Sequence, residues 1–185
     1  MSGEIYKHFA LLGFAIFWAT TAFMLKKWER SRNMSLSRHA ASQPITTFLF
    51  GAAIILSLAL YLLFIFKWFE PTFQLGKPFV IFNIAIAAGY IIGALIPDTS
   101  GLSHRIHHNV AYGAAWLMLL PMAILANSRA IELPIRVFAF AGLITMLVLW
   151  VRFITVKSTR EKHLIYQVVY LLIFDFTILL TTYFS

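Results

Sequence analysis

The chain contains no cysteine and few charged residues, with 15 lysine and arginine and 7 aspartate and glutamate side chains among 185 residues. The absence of cysteine excludes disulfides, thiolate catalysis and cysteine-ligated metal or iron–sulfur centres. The sequence also has no glycine-rich phosphate loop, no nucleophile elbow, no regular arginine series and no duplicated half. These absences weaken the channel, transporter and serine-hydrolase interpretations.

What the chain has in excess is apolar surface, since 61% of its residues are hydrophobic and 16% are aromatic. A helix of about 17 to 25 uncharged residues can cross the roughly 30 Å hydrocarbon core of a membrane. Six segments meet this criterion: 9–25, 45–66, 79–96, 106–126, 133–151 and 164–184. We therefore predict an all-α polytopic membrane protein, a single domain at residues 1–185 that forms a bundle of six transmembrane helices.

The basic residues predict the orientation of this bundle in the cell membrane. Ten lie in the first, third and fifth connections: Lys26, Lys27, Arg30, Arg32, Arg38, Arg105, Arg152, Lys157, Arg160 and Lys162. Five lie on the other side: Lys7, Lys67, Lys77, Arg129 and Arg136. The odd-numbered connections are therefore expected to be cytoplasmic and both termini outside. Basic residues at helix ends indicate membrane lipids as partners rather than nucleic acid.

The same assignment collects five of the six histidines near the cytoplasmic boundary, leaving only His8 opposite. Three of them occur in the stretch "GALIPDTSGLSHRIHHNV", residues 93–110. Pro97 is expected to end the third helix and Ser103 to cap the fourth. His104 and His108 would then share one helix face, which Tyr112 continues into the membrane.

Two interpretations of this cluster remain open. Imidazoles four residues apart can share a metal ion, and the metal candidates are His104, His108, Asp98 and His163. Alternatively, histidine and tyrosine occupy the interface because each has an apolar body and a polar tip. Haem ligation is not expected, because only His108 is placed inside a helix.

Asp175 is the second anomaly, because it falls about eleven residues into the sixth span. A carboxylate near the middle of a bilayer costs at least ~2.5 kcal/mol and marks a functional site by default. Trp18, Thr20 and Thr21 are expected at a comparable depth as hydrogen-bonding partners. Asp175 is either a buried structural carboxyl or a group that handles protons, ions or ligand. In the third helix, Asn83 and the segment "GYIIG" predict close packing against neighbouring helices.

Three stretches carry a resemblance to a known family: "SLSRHAASQPITTFLFGAAIILSLALYLLF", "YIIGALIPDTSGLSHRIHHNVAYGAAWLML" and "STREKHLIYQVVYLL". Together they resemble the Domain of Unknown Function 998 family of six-helix bacterial membrane proteins. The resemblance covers nearly the whole chain and implies the following residues to watch: Ser35, Pro97, Asp98, His108, Asn109, Glu161 and Tyr166. The chain departs from the family pattern at Ile96, and the resemblance does not extend to His104 and His107.

That family has no established activity, so the resemblance implies a fold rather than a reaction. More distantly the chain resembles eukaryotic six-helix proteins of autophagy modulation and lipid remodelling, which favours a lipid partner. The predicted polar pocket at the cytoplasmic boundary has eight ligand-binding candidates: Ser35, His39, Asp98, His108, Asn109, Tyr112, Glu161 and His163.

Three functions are compatible with this pocket. The leading hypothesis is that the pocket binds a lipid or another amphiphile, or holds a partner membrane protein, without a cofactor. The alternative is a metal-assisted lipid hydrolase or transferase in which Asp98 and His108 are the catalytic candidates. A further alternative is a proton-linked transporter that uses Asp175.

Overall fold

The computed structural model describes residues 3–27, 34–96, 98–157 and 162–185. Its helices are α1 (Glu4–Lys27), α2 (Leu36–Ala40), α3 (Pro44–Phe73), α4 (Lys77–Leu95), α5 (Gly101–Asn127), α6 (Leu133–Thr155) and α7 (His163–Phe184). Every one except α2 is long and apolar enough to cross a membrane. The prediction of an all-α protein with six transmembrane helices is therefore confirmed for these ranges.

Several helices extend beyond their predicted bounds, and α3 and α5 are two of them. The α3 helix continues to Phe73 through a π-helical turn at Ile65–Phe69, and the Glu70 carboxylate accepts hydrogen bonds from the following Leu75 and Gly76 amides. The α5 helix begins at Gly101, so Ser100 occupies the N-cap position predicted for Ser103. Hydropathy missed the first turns of α5 because they are polar, although the backbone there is already helical.

The six long helices pack in chain order around a closed ring. Each one contacts its successor, from α1 against α3 through to α6 against α7, and α7 returns to α1. This last contact is the slightest of the ring, and the boundary between α1 and α7 is termed the seam. His8 and Tyr183 lie 2.9 Å apart, Nδ1 to Oη, so the two ends of the chain meet at one end of the bundle.

Small and polar residues set the helix spacing, as the sequence predicts for α4. A Cβ atom added to Gly89 would lie 2.8 Å from the Cβ of Ala114 on α5. The Tyr61 hydroxyl of α3 donates to Asn83 Oδ1 at 2.7 Å, and Asn83 Nδ2 donates to the Phe79 carbonyl at 2.8 Å. Asn83 is fully buried, so its amide ties α3 to α4 inside the bundle.

Candidate functional site

At the end of the bundle opposite His8 and Tyr183, the helices surround a cavity of about 480 Å³. This cavity is termed the vestibule. Its walls are formed by α2, the end of α4, the beginnings of α5 and α7, and the last turns of α6. The predicted candidates Ser35, Asp98, His108, Tyr112 and His163 all line it, so the tertiary structure brings together residues from three separate parts of the chain.

Asp98 is the most connected of these residues. Its Oδ1 atom lies 2.5 Å from His104 Nδ1, and its Oδ2 atom accepts hydrogen bonds from Ser35 Oγ at 3.2 Å and Ser37 Oγ at 3.4 Å. Burial alone would raise the pKa of Asp98, but the hydrogen bonds and the nearby His107 and His104 outweigh it and lower that pKa. The carboxylate is therefore ionised at neutral pH and holds α2 against α5.

The start of α2 is fixed by side chains from two helices. Ser35 caps it by accepting a hydrogen bond from the Arg38 amide at 3.1 Å, and the Leu36 amide donates to Gln167 Oε1 of α7 at 2.9 Å. His39 is buried and its Nδ1 atom lies 3.1 Å from the Ser35 carbonyl oxygen. Because a carbonyl only accepts, Nδ1 carries the proton. His39 therefore supports α2 and does not line the vestibule, contrary to its predicted role.

His107 has a structural role that the sequence did not predict. Its Nδ1 atom lies 2.9 Å from the Gly93 carbonyl oxygen and 2.8 Å from that of Ile96, at the C-terminal end of α4. These carbonyls have no partner within their own helix, so the imidazole caps the helix end. His107 is buried and joins α4 to α5 in the wall of the vestibule.

The remaining aromatic side chains form a continuous stripe along α5, as the spacing predicts. Ring centroids of His104 and His108 are 5.4 Å apart, and those of His108 and Tyr112 are 3.8 Å apart. Tyr112 also contacts His163 at 6.3 Å and Trp150 at 5.1 Å. The Tyr112 ring thus lies between the histidines of α5 and the one on α7.

Three further predicted residues are Asn109, Pro97 and Glu161. Asn109 is exposed and is not among the residues that line the vestibule, because it is one residue, or about 100°, around α5 from His108. The structure therefore does not bring it together with the other predicted residues. Pro97 and Glu161 lie outside the described residues.

The metal candidates do not assemble into a coordination site. Among the residues that the structure describes, no group of three histidine or acidic side chains is arranged to hold a metal ion. Asp98 already accepts from His104 and two serines, while His163 is separated from His108 by the Tyr112 ring. The serine hydroxyls face Asp98 and not His104, so the cluster does not present an aligned nucleophile and base.

A second cavity, of about 140 Å³, adjoins the vestibule and is termed the slot; residues of α1, α2, α3, α4, α5 and α7 line it. Its wall is mainly apolar and reaches from Asp98 and His107 past Phe50 and Tyr61 to Asp175. The slot and the vestibule share one wall, formed by Ser37, Tyr90, Asp98, His107, Ala111, Gln167 and Leu171. The chamber that carries the histidines, serines and Asp98 is thus directly adjacent to a more apolar one.

Asp175 lies at the lower end of the slot and at the seam. The indole Nε1 of Trp18 donates to Asp175 Oδ2 at 2.8 Å, which confirms one of the three predicted partners. Thr21 Oγ1, another of the three, has no hydrogen-bond partner among the described residues. The carboxyl of Asp175 therefore links α7 to α1, the two neighbouring helices whose mutual contact is the slightest in the ring.

Several residues of the site were missed by sequence reasoning: Arg38, Trp150, Gln167 and Tyr170 all line the vestibule. Gln167 was detectable, because it lies four residues after His163 on the same helix face. Trp150 and Tyr170 look like ordinary membrane aromatics in the sequence, and only the packing of α6 against α7 directs them inward. The Tyr170 hydroxyl donates a hydrogen bond to the Ala115 carbonyl oxygen at 2.6 Å.

Comparison with known proteins finds no matching family model, no matching curated protein and no matching solved structure. The resemblance to the Domain of Unknown Function 998 family therefore has no support beyond the residues that suggested it. What can be concluded of function comes from the vestibule and the slot.

Proposed function

We propose that this protein binds a membrane amphiphile, with the polar head in the vestibule and an apolar chain in the slot. The observation that carries the proposal is the wall that the two cavities share. An amphiphile has the same organisation, because its polar head is joined directly to its hydrocarbon chain. A binding site for it needs a polar compartment and an apolar compartment in contact, and small-molecule sites are mostly apolar with a few placed polar groups.

The size of the slot restricts the hydrocarbon part of the ligand. Its volume of about 140 Å³ is close to that of an apolar protein cavity of about 150 Å³ that binds benzene. The slot therefore holds a segment of one hydrocarbon chain and not two chains side by side. Phe14, Phe17 and Phe50 supply much of its apolar wall.

The seam provides a route for the chain. Phe17 of α1 and Leu171 of α7 line the slot from the two sides of the seam. Since the α1–α7 contact is the slightest in the ring, separating these helices breaks fewer contacts than any other opening. A chain can then enter sideways from the bilayer without crossing the polar vestibule.

In this proposal the vestibule lies at the cytoplasmic face, and the distribution of basic residues supports that orientation. The ligand would then come from the inner leaflet of the membrane, with its head at the level of the lipid headgroups. This orientation matches a slot that extends from the histidine-rich end of the bundle toward Asp175 near the middle of α7.

The proposal can be tested by filling the shared wall. Ala111 lines both cavities, so Ala111→Phe places a ring between the vestibule and the slot. The matched control is Ala141→Phe, on the exposed face of α6. Both variants and the unmodified protein are purified in mild detergent, and retained lipids are extracted and quantified by mass spectrometry.

We expect the unmodified protein and Ala141→Phe to retain a defined amphiphile in near-stoichiometric amount, and Ala111→Phe to lose most of it. Equal retention by all three proteins would show that the lipid lies elsewhere on the surface. Absence of a defined amphiphile from the unmodified protein, together with no binding of added amphiphiles, would overturn the proposal.

A further inference from the structure

We infer that the vestibule recognises an oxyanion head, a phosphate or carboxylate, on a single-chain amphiphile. This inference rests on the proposed function, because it assigns the head of the ligand whose chain fills the slot. Three observations carry it: an unpaired donor in the wall, the charges that face the cavity, and the packing of the aromatic rings.

The unpaired donor is the indole of Trp150. This side chain is only 7% exposed, and its Nε1 atom has no hydrogen-bond partner among the residues that the structure describes. An indole N–H is a donor only, and a buried donor without an acceptor is costly. Trp150 lines the vestibule, so a ligand whose acceptor oxygen reaches this buried N–H would remove the cost of the unpaired donor.

The charges in the vestibule select an anionic acceptor. Within the described part of the chain, Asp98 is the only acidic residue that lines the vestibule. Both of its oxygens are already engaged, one by His104 and the other by Ser35 and Ser37. Arg38 is the one lysine or arginine among the described residues of this wall, and the ring N–H groups of His108 and His163 add further donors to it.

The aromatic residues do not form a receptor for a quaternary ammonium. Such a receptor needs ring faces open around the cation. Here Tyr112 packs edge-on against Trp150 at 5.1 Å and against Phe153 at 5.9 Å, while Trp150 stacks on Phe153 at 6.2 Å. These three rings pack against one another, and the indole N–H and Arg38 remain as the recognition groups of this inference.

The test compares ligands with one chain and different heads. The full-length protein in neutral detergent at pH 7 is titrated with dodecyl phosphate, dodecanol, dodecyltrimethylammonium and inorganic phosphate, and binding is followed by native mass spectrometry. We expect dodecyl phosphate to bind at least ~10-fold more tightly than each of the other three compounds. A difference of this size is expected from charge-assisted hydrogen bonds to the head.

Two conservative variants identify the recognition groups. Trp150→Phe keeps a ring and removes the N–H, and Arg38→Gln removes the cation. Each substitution is expected to weaken the binding of dodecyl phosphate by about 10-fold and the binding of dodecanol by less than about 2-fold. The matched controls are Trp116→Phe, an exposed indole beside Trp150, and Arg129→Gln, an exposed arginine in the α5–α6 connection. Neither control should change the preference.

The outcomes separate this inference from the proposed function. Equal binding of the three dodecyl compounds, or a preference for the ammonium, would overturn the oxyanion assignment while leaving amphiphile binding intact. Inorganic phosphate that binds as tightly as dodecyl phosphate would overturn the assignment to an amphiphile, because the chain would then contribute nothing. Failure of every compound to bind would contradict the proposed function itself.

Discussion

The Asp98 carboxylate and the His104 imidazole lie 2.5 Å apart, Oδ1 to Nδ1, across the connection between α4 and α5. Asp98 is 6% exposed, and its other oxygen accepts hydrogen bonds from the hydroxyls of Ser35, the N-cap of α2, and Ser37, in the first turn of α2. The pair therefore fixes the wall of the vestibule at the point where three segments meet.

This relationship predicts a defined pH dependence. The pKa of folded Asp98 lies below its ordinary value of 3.8, so its stabilising contribution is present above that value and is lost as the pH falls through the folded pKa. Asp98→Asn should lower the melting temperature at pH 7 by about 2–10 °C. The gap between the variant and the unmodified protein should narrow as the pH falls below 3.8. A gap that is constant with pH in thermal unfolding would contradict this explanation.

The orientation of the bundle predicts which positions are accessible from outside. Because the chain has no native cysteine, single-cysteine variants report their own position without interference. In intact cells a membrane-impermeant maleimide should label Gly3→Cys and Ser185→Cys, but Gly101→Cys only after the membrane is opened. Labelling of Gly101→Cys alone in intact cells would place the vestibule outside and reverse the predicted topology.

The hydrogen bond at the seam predicts unequal effects of two conservative substitutions. Asp175→Asn keeps an acceptor for the Trp18 indole and should change the free energy of unfolding little. Trp18→Phe leaves the Asp175 carboxyl without its donor and should cost about 1–3 kcal/mol. Unfolding in detergent measures both. A large loss in Asp175→Asn with normal folding of Trp18→Phe would show that the carboxylate charge, and not the bond, is required.

The α3–α4 contact predicts a measurable coupling between two buried residues. Tyr61→Phe removes the donor to Asn83 Oδ1 and should destabilise the protein by about 1–2 kcal/mol. In an Asn83→Leu background the same substitution should have a smaller effect, because the acceptor is gone. A double-mutant cycle on thermal stability tests this expectation, and strictly additive effects would argue that the bond contributes nothing.

Two glycines predict opposite responses to alanine. A Cβ atom at Gly13 would lie 2.8 Å from the Ser57 carbonyl oxygen, and this backbone atom cannot move without shifting α3. Gly113 has nothing within 4 Å of the same position. Gly13→Ala should therefore destabilise the protein, whereas Gly113→Ala should be neutral or stabilise α5 by up to about 1 kcal/mol. Similar melting temperatures for the two variants would contradict the close α1–α3 contact.

Much of the helical architecture follows from the sequence, because each span needs only its own residues to reveal it. Hydropathy identifies all six helices, and the spacing of His104, His108 and Tyr112 predicts their common face. Helix ends are less determined: the polar first turns of α5 and the extension of α3 to Phe73 lie outside the apolar runs. Asn109 shows a further limit of prediction from sequence. A motif identifies residues that are neighbours in the chain, but neighbouring residues point to different sides of a helix.

The sequence by itself determines that this protein is a six-helix membrane bundle with a polar end, because helix length and hydrophobicity are local properties. Only the tertiary structure decides that His107 caps α4, that His39 supports α2, and that Trp150 lines the vestibule with an unpaired N–H among the described residues. Those outcomes depend on how the helices rotate against one another when the ring closes. That rotation is fixed by packing between residues far apart in the chain, which no single segment encodes.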